Sequence, residues 1–370
     1  MRKTHLRFGV AVGLLLAGGA VTAQNVAGPA KARAGTPEIP YDSVANFFKL
    51  PAGLYMGEGT GVATNSKGHI FVFTRSGETR LFEFDQSGVF VKEFGAGSYS
   101  FSFAHAVRVD KDDNVWAVDE GTNVITKFSP DAKILMVLGK RPDPLEQISS
   151  MPGGGQYSGA NKPYSFHRET DVAWDPQGNI FVSDGYGDSR VVKYDKTGRF
   201  IKSAGTRGNG VLQFSTPHAI AVDAKGTVYV ADRGNSRIVV LDNDLNQKAV
   251  YDNVGAPWAI CISSGPHQYL YTSNSFPTGN NFDQAPITGE VYRMELDGDR
   301  AGPLRQGRTR VEGVQQHPPD GLPESERDLR RGDYRVARAE DPAASDGSAH
   351  VHRTVGGDDE TLHARSDSGD

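Results

Sequence analysis

The chain of 370 residues has a single cysteine, Cys261, so no internal disulfide can form. It also lacks a glycine-rich phosphate loop, a Ser/His/Asp arrangement and any cysteine pair at metal-binding spacing, which leaves nucleotide-dependent and hydrolase chemistry without support. Net charge is -5 with a pI near 6.1, so no general attraction to nucleic acid is implied. No apolar run spans a bilayer well: the best, residues 8–23, is sixteen residues containing four glycines. Arg2, Lys3 and Arg7 flank that run and Val21-Thr22-Ala23 closes it in the form of a signal-peptidase site. The expectation is a signal peptide over 1–23, export to the periplasm or beyond the cell, and no stable membrane insertion after cleavage. A retained anchor is the plainer alternative, and residues 24–40 read as a flexible leader.

What is present is a repeated sentence. Residues 60–74, 105–119, 170–184 and 218–232 each run from a leading residue to a small-residue step fourteen positions on, with a turn residue at Gly68, Asp113, Gly178 or Gly226. Period-2 apolar runs such as Ile180-Phe181-Val182 flank the turns, which gives two strands and a tight turn per copy. Third strands are expected at 80–84, 124–128, 190–194 and 237–241, followed by fourth strands ending near Gly95, Gly139 and Gly205. A weaker fifth copy runs from Trp258 through 269–271 to 291–296, and residues 140–164 form a Pro/Gly/Ser-rich insertion. Four short strands in a unit that recurs every 45 to 50 residues or so cannot bury their faces alone, so they predict an all-β, six-bladed β-propeller over 41–300 with five recognisable blades.

Residues 301–370 belong to a different composition, with ten arginines but no Lys, Ile, Met, Phe, Trp, Cys or Asn. A disordered charged tail is one reading. The other is a frameshift near residue 300: back-translated one nucleotide out of phase, 303–344 admits codons for a sixth blade, with a histidine fourteen residues before the glutamate of an IYVAE strand. His105 to Asp119 and His218 to Asp232 have that same spacing. In the chain as written His317 has no strand context and is not nominated as a ligand. The Arg331-Gly332-Asp333 triplet is read as accidental.

His105 and His218 lead alternate copies. In a six-membered ring such positions stand about 120° apart and converge on the axis, and with a third from the sixth blade they describe an open three-imidazole zinc (Zn2+) site. Taken singly, each histidine is a hydrogen-bonded strand-end residue. Arg75 and Arg233 both follow a second strand, in blades that face each other, and two guanidiniums at one mouth suit a carboxylate or phosphate. Surface arginines paired with acids such as Asp232 are the alternative. Tyr186 could reach the same mouth as a general base or serve as a packing residue. Asp119, Asp184 and Asp232 read as structural caps.

On these residues the chain resembles the NHL-repeat propellers, and among them the peptidyl-α-hydroxyglycine α-amidating lyases, over about 50–298. The segments TDVAWDPQGNIFVSDGYGDSR, STPHAIAVD and VADRGNSR carry the likeness most specifically. The resemblance implies that His105 and His218 bind zinc, Tyr186 removes the substrate hydroxyl proton, and Arg75 and Arg233 grip the substrate carboxylate. It implies a small-molecule or peptide substrate ending in α-hydroxyglycine, cleaved to an amide and glyoxylate, and a structural calcium (Ca2+) in the channel. Animal members have a cysteine beside the tyrosine where this chain has Gly187, so their disulfide is missing. A non-catalytic propeller that binds a protein, peptide or glycan is the runner-up, and a calcium-dependent lactonase comes last, because no acidic set stands at the leading positions.

Overall fold

The computed structural model describes residues 41–142, 162–252, 254–275, 291–298 and 336–339. The signal peptide, the leader, most of the 140–164 insertion, and the tail apart from 336–339 lie outside the described residues. Four four-stranded antiparallel sheets and one three-stranded sheet follow one another along the chain as propeller blades. Blade I comprises Gly59–Thr64, Ile70–Thr74, Arg80–Phe84 and Phe90–Phe94; blade II comprises Ala104–Val109, Val115–Asp119, Val124–Phe128 and Ile134–Gly139. Blade III comprises Asp171–Trp174, Ile180–Asp184, Arg190–Tyr194 and Phe200–Ala204, and blade IV comprises Pro217–Val222, Val228–Asp232, Arg237–Leu241 and Gln247–Tyr251. Blade V has Pro257–Ile262, Tyr269–Asn274 and Val291–Glu295. The four expected third strands thus fall at the expected residues, and five blades are present among the described residues.

Side chains alternate across a strand, and in blades II, III and IV both faces are buried because a blade lies on either side. In blade II, Val115 and Ala117 join the cluster shared with blade I, while Trp116 and Val118 join the one shared with blade III. Blade IV divides likewise, with Val228 and Val230 facing blade III and Tyr229 and Ala231 facing blade V. Blade I has a different cover on its second face: segment 47–56 packs Phe47, Phe48, Leu50, Leu54 and Met56 against Ile70, Val72, Phe82 and Phe84. That segment is also stitched to the outer strand, where Lys49 N–H donates to the Gly88 carbonyl and Phe90 N–H to the Lys49 carbonyl, at 2.7 and 3.1 Å. Tyr41–Val44 pairs antiparallel with Val336–Ala339.

The recurring aspartates do more than cap the turn after the second strand. Each reaches back to the segment before its own blade's leading residue. Asp119 accepts from the N–H groups of Ser102, Phe103 and Thr122, Asp184 from His167 N–H, and Asp232 from Ser215 N–H. Ser102, His167 and Ser215 all stand three residues before a leading position, so the same clamp is made three times. All three carboxylates are fully buried, and burial raises each above the usual carboxylate range, that of Asp184 to about 7. Glu169, beside the leading residue of blade III, is also fully buried, and neither of its carboxyl oxygens has a hydrogen-bond partner among the described residues. Burial, then the nearby Asp184 charge, hold its pKa well above normal.

Replacing Asp119 by alanine takes the acceptor from three N–H groups, that of buried Thr122 at about 1–3 kcal/mol and the part-buried ones of Ser102 and Phe103 at less, so urea unfolding is expected to show a loss of about 3 kcal/mol. Asp112→Ala, on an exposed turn of the same blade, should stay within about 0.5 kcal/mol of the parent. For Glu169 the folded state favours the proton. Its contribution is therefore complete below the unfolded pKa and is lost as pH rises towards the elevated folded value. Glu169→Gln, which keeps the shape of the neutral acid, is expected to leave the melting temperature unchanged at pH 4 and to raise it by on the order of 5 °C at pH 8.

Candidate active site at the channel

The five leading positions are Thr60, His105, Thr170, His218 and Trp258, and all five line one axial cavity of about 390 Å3. At Thr60, His105, His218 and Trp258 the ladder to the second strand slips by one residue. Such a bulge re-aims the side chain at its position, here toward the axis. Thr170 lies just before its blade's inner strand, its N–H donating to the Ser183 carbonyl at 2.8 Å.

His105 and His218 converge there, with ring centroids 4.7 Å apart. Each Nδ1 meets a main-chain carbonyl, and a carbonyl only accepts, so each Nδ1 carries the proton. His105 donates to Thr170 O at 2.6 Å and His218 to Trp258 O at 2.8 Å. In both cases the acceptor is the leading residue of the next blade. The Nε2 lone pairs are thereby turned to one shared space, the arrangement that prepares imidazoles for a metal. The Tyr186 hydroxyl stands between them, 3.1 Å from Nε2 of His218 and 3.4 Å from Nε2 of His105. The three residues nominated for metal binding and proton transfer are therefore brought together. His218 also stacks on Trp258 at 4.4 Å.

Arg75 and Arg233 occupy equivalent places, each N–H bonded to the carbonyl two residues before its own blade's leading residue, Glu58 O and Thr216 O. Their side chains are held differently. Arg75 forms a two-pronged pair with Glu58 at 3.0 and 3.1 Å and lies over the Phe103 ring, while Arg233 lies 4.1 Å over Trp258. Asp232 pairs with Arg237 rather than Arg233. A substrate carboxylate at Arg75 would have to compete with Glu58.

Three charged residues of this mouth escaped the sequence reading: Glu58, Glu120 and Arg168. Glu120, 3% exposed, lies between Arg75 at 3.8 Å and Arg168 at 3.4 Å. Burial raises its pKa to about 7 against the pull of those arginines. It occupies the place of Arg75 and Arg233 in blade II, immediately after the second strand, so aligning the copies would have found it. Arg168 stands two residues before a leading position, as Glu58 does, and its guanidinium lies 4.6 Å over the Tyr186 ring. Gly187 explains how the tyrosine loop dispenses with a disulfide: its N–H donates to the His167 carbonyl at 2.9 Å, and the His167 ring fills the space a Cβ would need. His167 is further paired with Asp188 at 3.5 Å.

The donor chemistry fits zinc in part. Two neutral imidazoles with locked tautomers suit it, yet no group of three or more His, Cys, Asp or Glu placed to hold a metal occurs among the described residues. Cys261 lines the same cavity, but burial pushes its thiol up to about 11, away from the thiolate a metal takes.

The NHL repeat model matches residues 214–241. The "Probable peptidyl-alpha-hydroxyglycine alpha-amidating lyase" of Caenorhabditis elegans is 30% identical over 218 residues, covering 52% of this chain and 57% of that protein. The peptidyl-glycine alpha-amidating monooxygenase of Mus musculus is 30% identical over 278 residues, covering 65% of this chain and 26% of that one. Among solved structures, a streptogramin B lyase aligns with a TM-score of 0.49 at 15% identity, over 73% of this chain and 74% of the other. The chain thus spans little more than half of the first of these relatives and about a quarter of the second. With its successive blades and its repeat match at 214–241, the chain is a β-propeller that carries an NHL repeat and resembles the peptidyl-α-hydroxyglycine α-amidating lyases.

Proposed function

We propose that this propeller is an exported, zinc-dependent lyase that cleaves the carbinolamide C–N bond of peptidyl-α-hydroxyglycine to give a peptide amide and glyoxylate. The observation that carries the reading is the convergence of His105, His218 and Tyr186 with both imidazoles in the same tautomer. The two relatives named for amidating activity support it. His105 and His218 would hold the metal, together with a histidine from a sixth blade that belongs to the other reading frame. When bound, zinc would supply Lewis acidity toward the substrate hydroxyl.

The protein's own groups divide the rest of the work. Tyr186, as phenolate, takes the carbinol hydroxyl proton while the C=O bond of glyoxylate forms and the C–N bond breaks, and the departing amide nitrogen takes a proton in return. Arg233, over Trp258, and Arg75, once released from Glu58, bind the carboxylate by charge-assisted hydrogen bonds and fix the bond to be broken against Tyr186. Placement matters as much as acidity here, since an anchored carboxylate turns a bimolecular encounter into an oriented one. For the structural calcium that the resemblance implies, no group of three or more His, Cys, Asp or Glu that could hold it occurs among the described residues, and no step is assigned to it. The chain as written, without a third histidine from a sixth blade, should retain zinc weakly.

Incubation with α-hydroxyhippurate is expected to release glyoxylate, dependent on zinc, from a protein with the sixth-blade frame restored and far less from the chain as written. Release by neither form, or metal-independent release by both, would sink the proposal. Replacing His105 and His218 together by alanine should abolish stoichiometric zinc and glyoxylate release. If ligand binding survives that change in a protein that purifies without zinc, the propeller is a binding module. Tyr186→Phe is expected to lower kcat by about 100-fold or more while zinc content is kept, measured as glyoxylate and metal on the same sample.

A further inference from the structure

Tyr186 is held by several contacts, and one of its holders is a residue that neither the repeat nor the lyase chemistry calls for. Arg168 touches it twice. Its carbonyl accepts from the Tyr186 N–H at 3.3 Å, and its guanidinium carbon lies 4.6 Å over the phenol ring. Arg168 is itself anchored: the backbone has φ +63, the left-handed region, and its N–H donates to Asn123 Oδ1 at 2.9 Å. The side chain is 51% exposed, yet its charge is met by the buried Glu120 carboxylate at 3.4 Å. Such a conformation is unfavourable for a side chain as long as arginine and persists only where surrounding contacts fix it. Arg207 donates to the Tyr186 main-chain carbonyl at 3.2 Å.

We propose that Arg168 is a positioning residue for Tyr186: with Glu120 as counter-charge, it presses the phenol into the single rotamer that places the hydroxyl between His105 and His218. The proposal rests on the lyase reading for its consequence in catalysis but not for its geometry. A guanidinium stacked on an aromatic face is held by the ring's negative face and by shape. Beside it, the ring makes edge contacts to the two imidazoles at centroid separations of 5.6 and 5.8 Å, and its hydroxyl meets their Nε2 atoms; the guanidinium is the group that lies on the ring's face. Arg168 does not reach the reacting atoms, so its removal should act on turnover and leave carboxylate binding to Arg75 and Arg233.

The test uses the full chain with 3-fluorotyrosine at position 186. Wild type is expected to give one fluorine resonance, Arg168→Met a shifted or split one from a second ring orientation, and Arg168→Lys, which keeps the charge over the ring, a resonance returning toward wild type. A Met variant whose resonance matches wild type overturns the proposal, as does a Lys variant indistinguishable from Met. In protein that releases glyoxylate, Arg168→Met should lower kcat about tenfold with KM within about twofold. A raised KM with unchanged kcat would instead make Arg168 a carboxylate grip and overturn the positioning role. If no form releases glyoxylate, the lyase reading fails while the fluorine spectra still decide this one.

Discussion

The structure depends on a buried aspartate that closes the second strand of a blade and seizes the main-chain N–H three residues before the leading residue of that same blade. Asp119, Asp184 and Asp232 repeat this contact at Ser102, His167 and Ser215. A charge-assisted bond to a main-chain N–H is worth more than a neutral one, and here it ties the start of a blade to its interior. The chain therefore enters the inner strands of blades II, III and IV at a fixed height and angle. Whatever residue leads one of these strands is delivered to the channel, which is why histidine and threonine can alternate there while the architecture stays the same.

The candidate chemistry belongs to pairs of blades rather than to single ones. Blade II contributes an imidazole, but the oxygen that sets its tautomer comes from Thr170 of blade III, and blade IV depends in the same way on Trp258 of blade V. Histidines in alternate blades leave the intervening leading residues free to act as acceptors. Blade V, the least regular copy, thus has a role beyond closing the fold, since its first strand holds His218 from two directions, by carbonyl and by indole.

Most of the fold was legible because blade strands announce themselves twice, by alternation within a copy and by recurrence between copies. The third strands fell where the repeats put them, and His105, His218 and Tyr186 meet as their positions implied. The slipped register at the leading residues was not legible, because a bulge is written in hydrogen bonds and not in residue type. Glu58 and Arg168 precede the copies as they were delimited, so the charges that surround Arg75 and Tyr186 fell outside the pattern. Glu120 was hidden differently: it follows an aspartate whose structural role was recognised, and its own place in the repeat was passed over. The sign of the charge at that place changes from Arg75 to Glu120 to Arg233, so position in the repeat predicts where a side chain points but not what it binds.

The contact between Gly187 and His167 has a consequence for where such a protein can be made. In the animal relatives the resemblance implies a covalent sulfur bridge next to the tyrosine, which requires oxidising surroundings to mature. Here the same loop is fastened by a backbone bond, an imidazole lying on a bare α-carbon, and the neighbouring Asp188. None of these fastenings changes with thiol redox poise. A host that folds its proteins in a reducing cytosol can therefore produce the tyrosine loop in its finished form, and glutathione or dithiothreitol in the buffer has nothing in that loop to break.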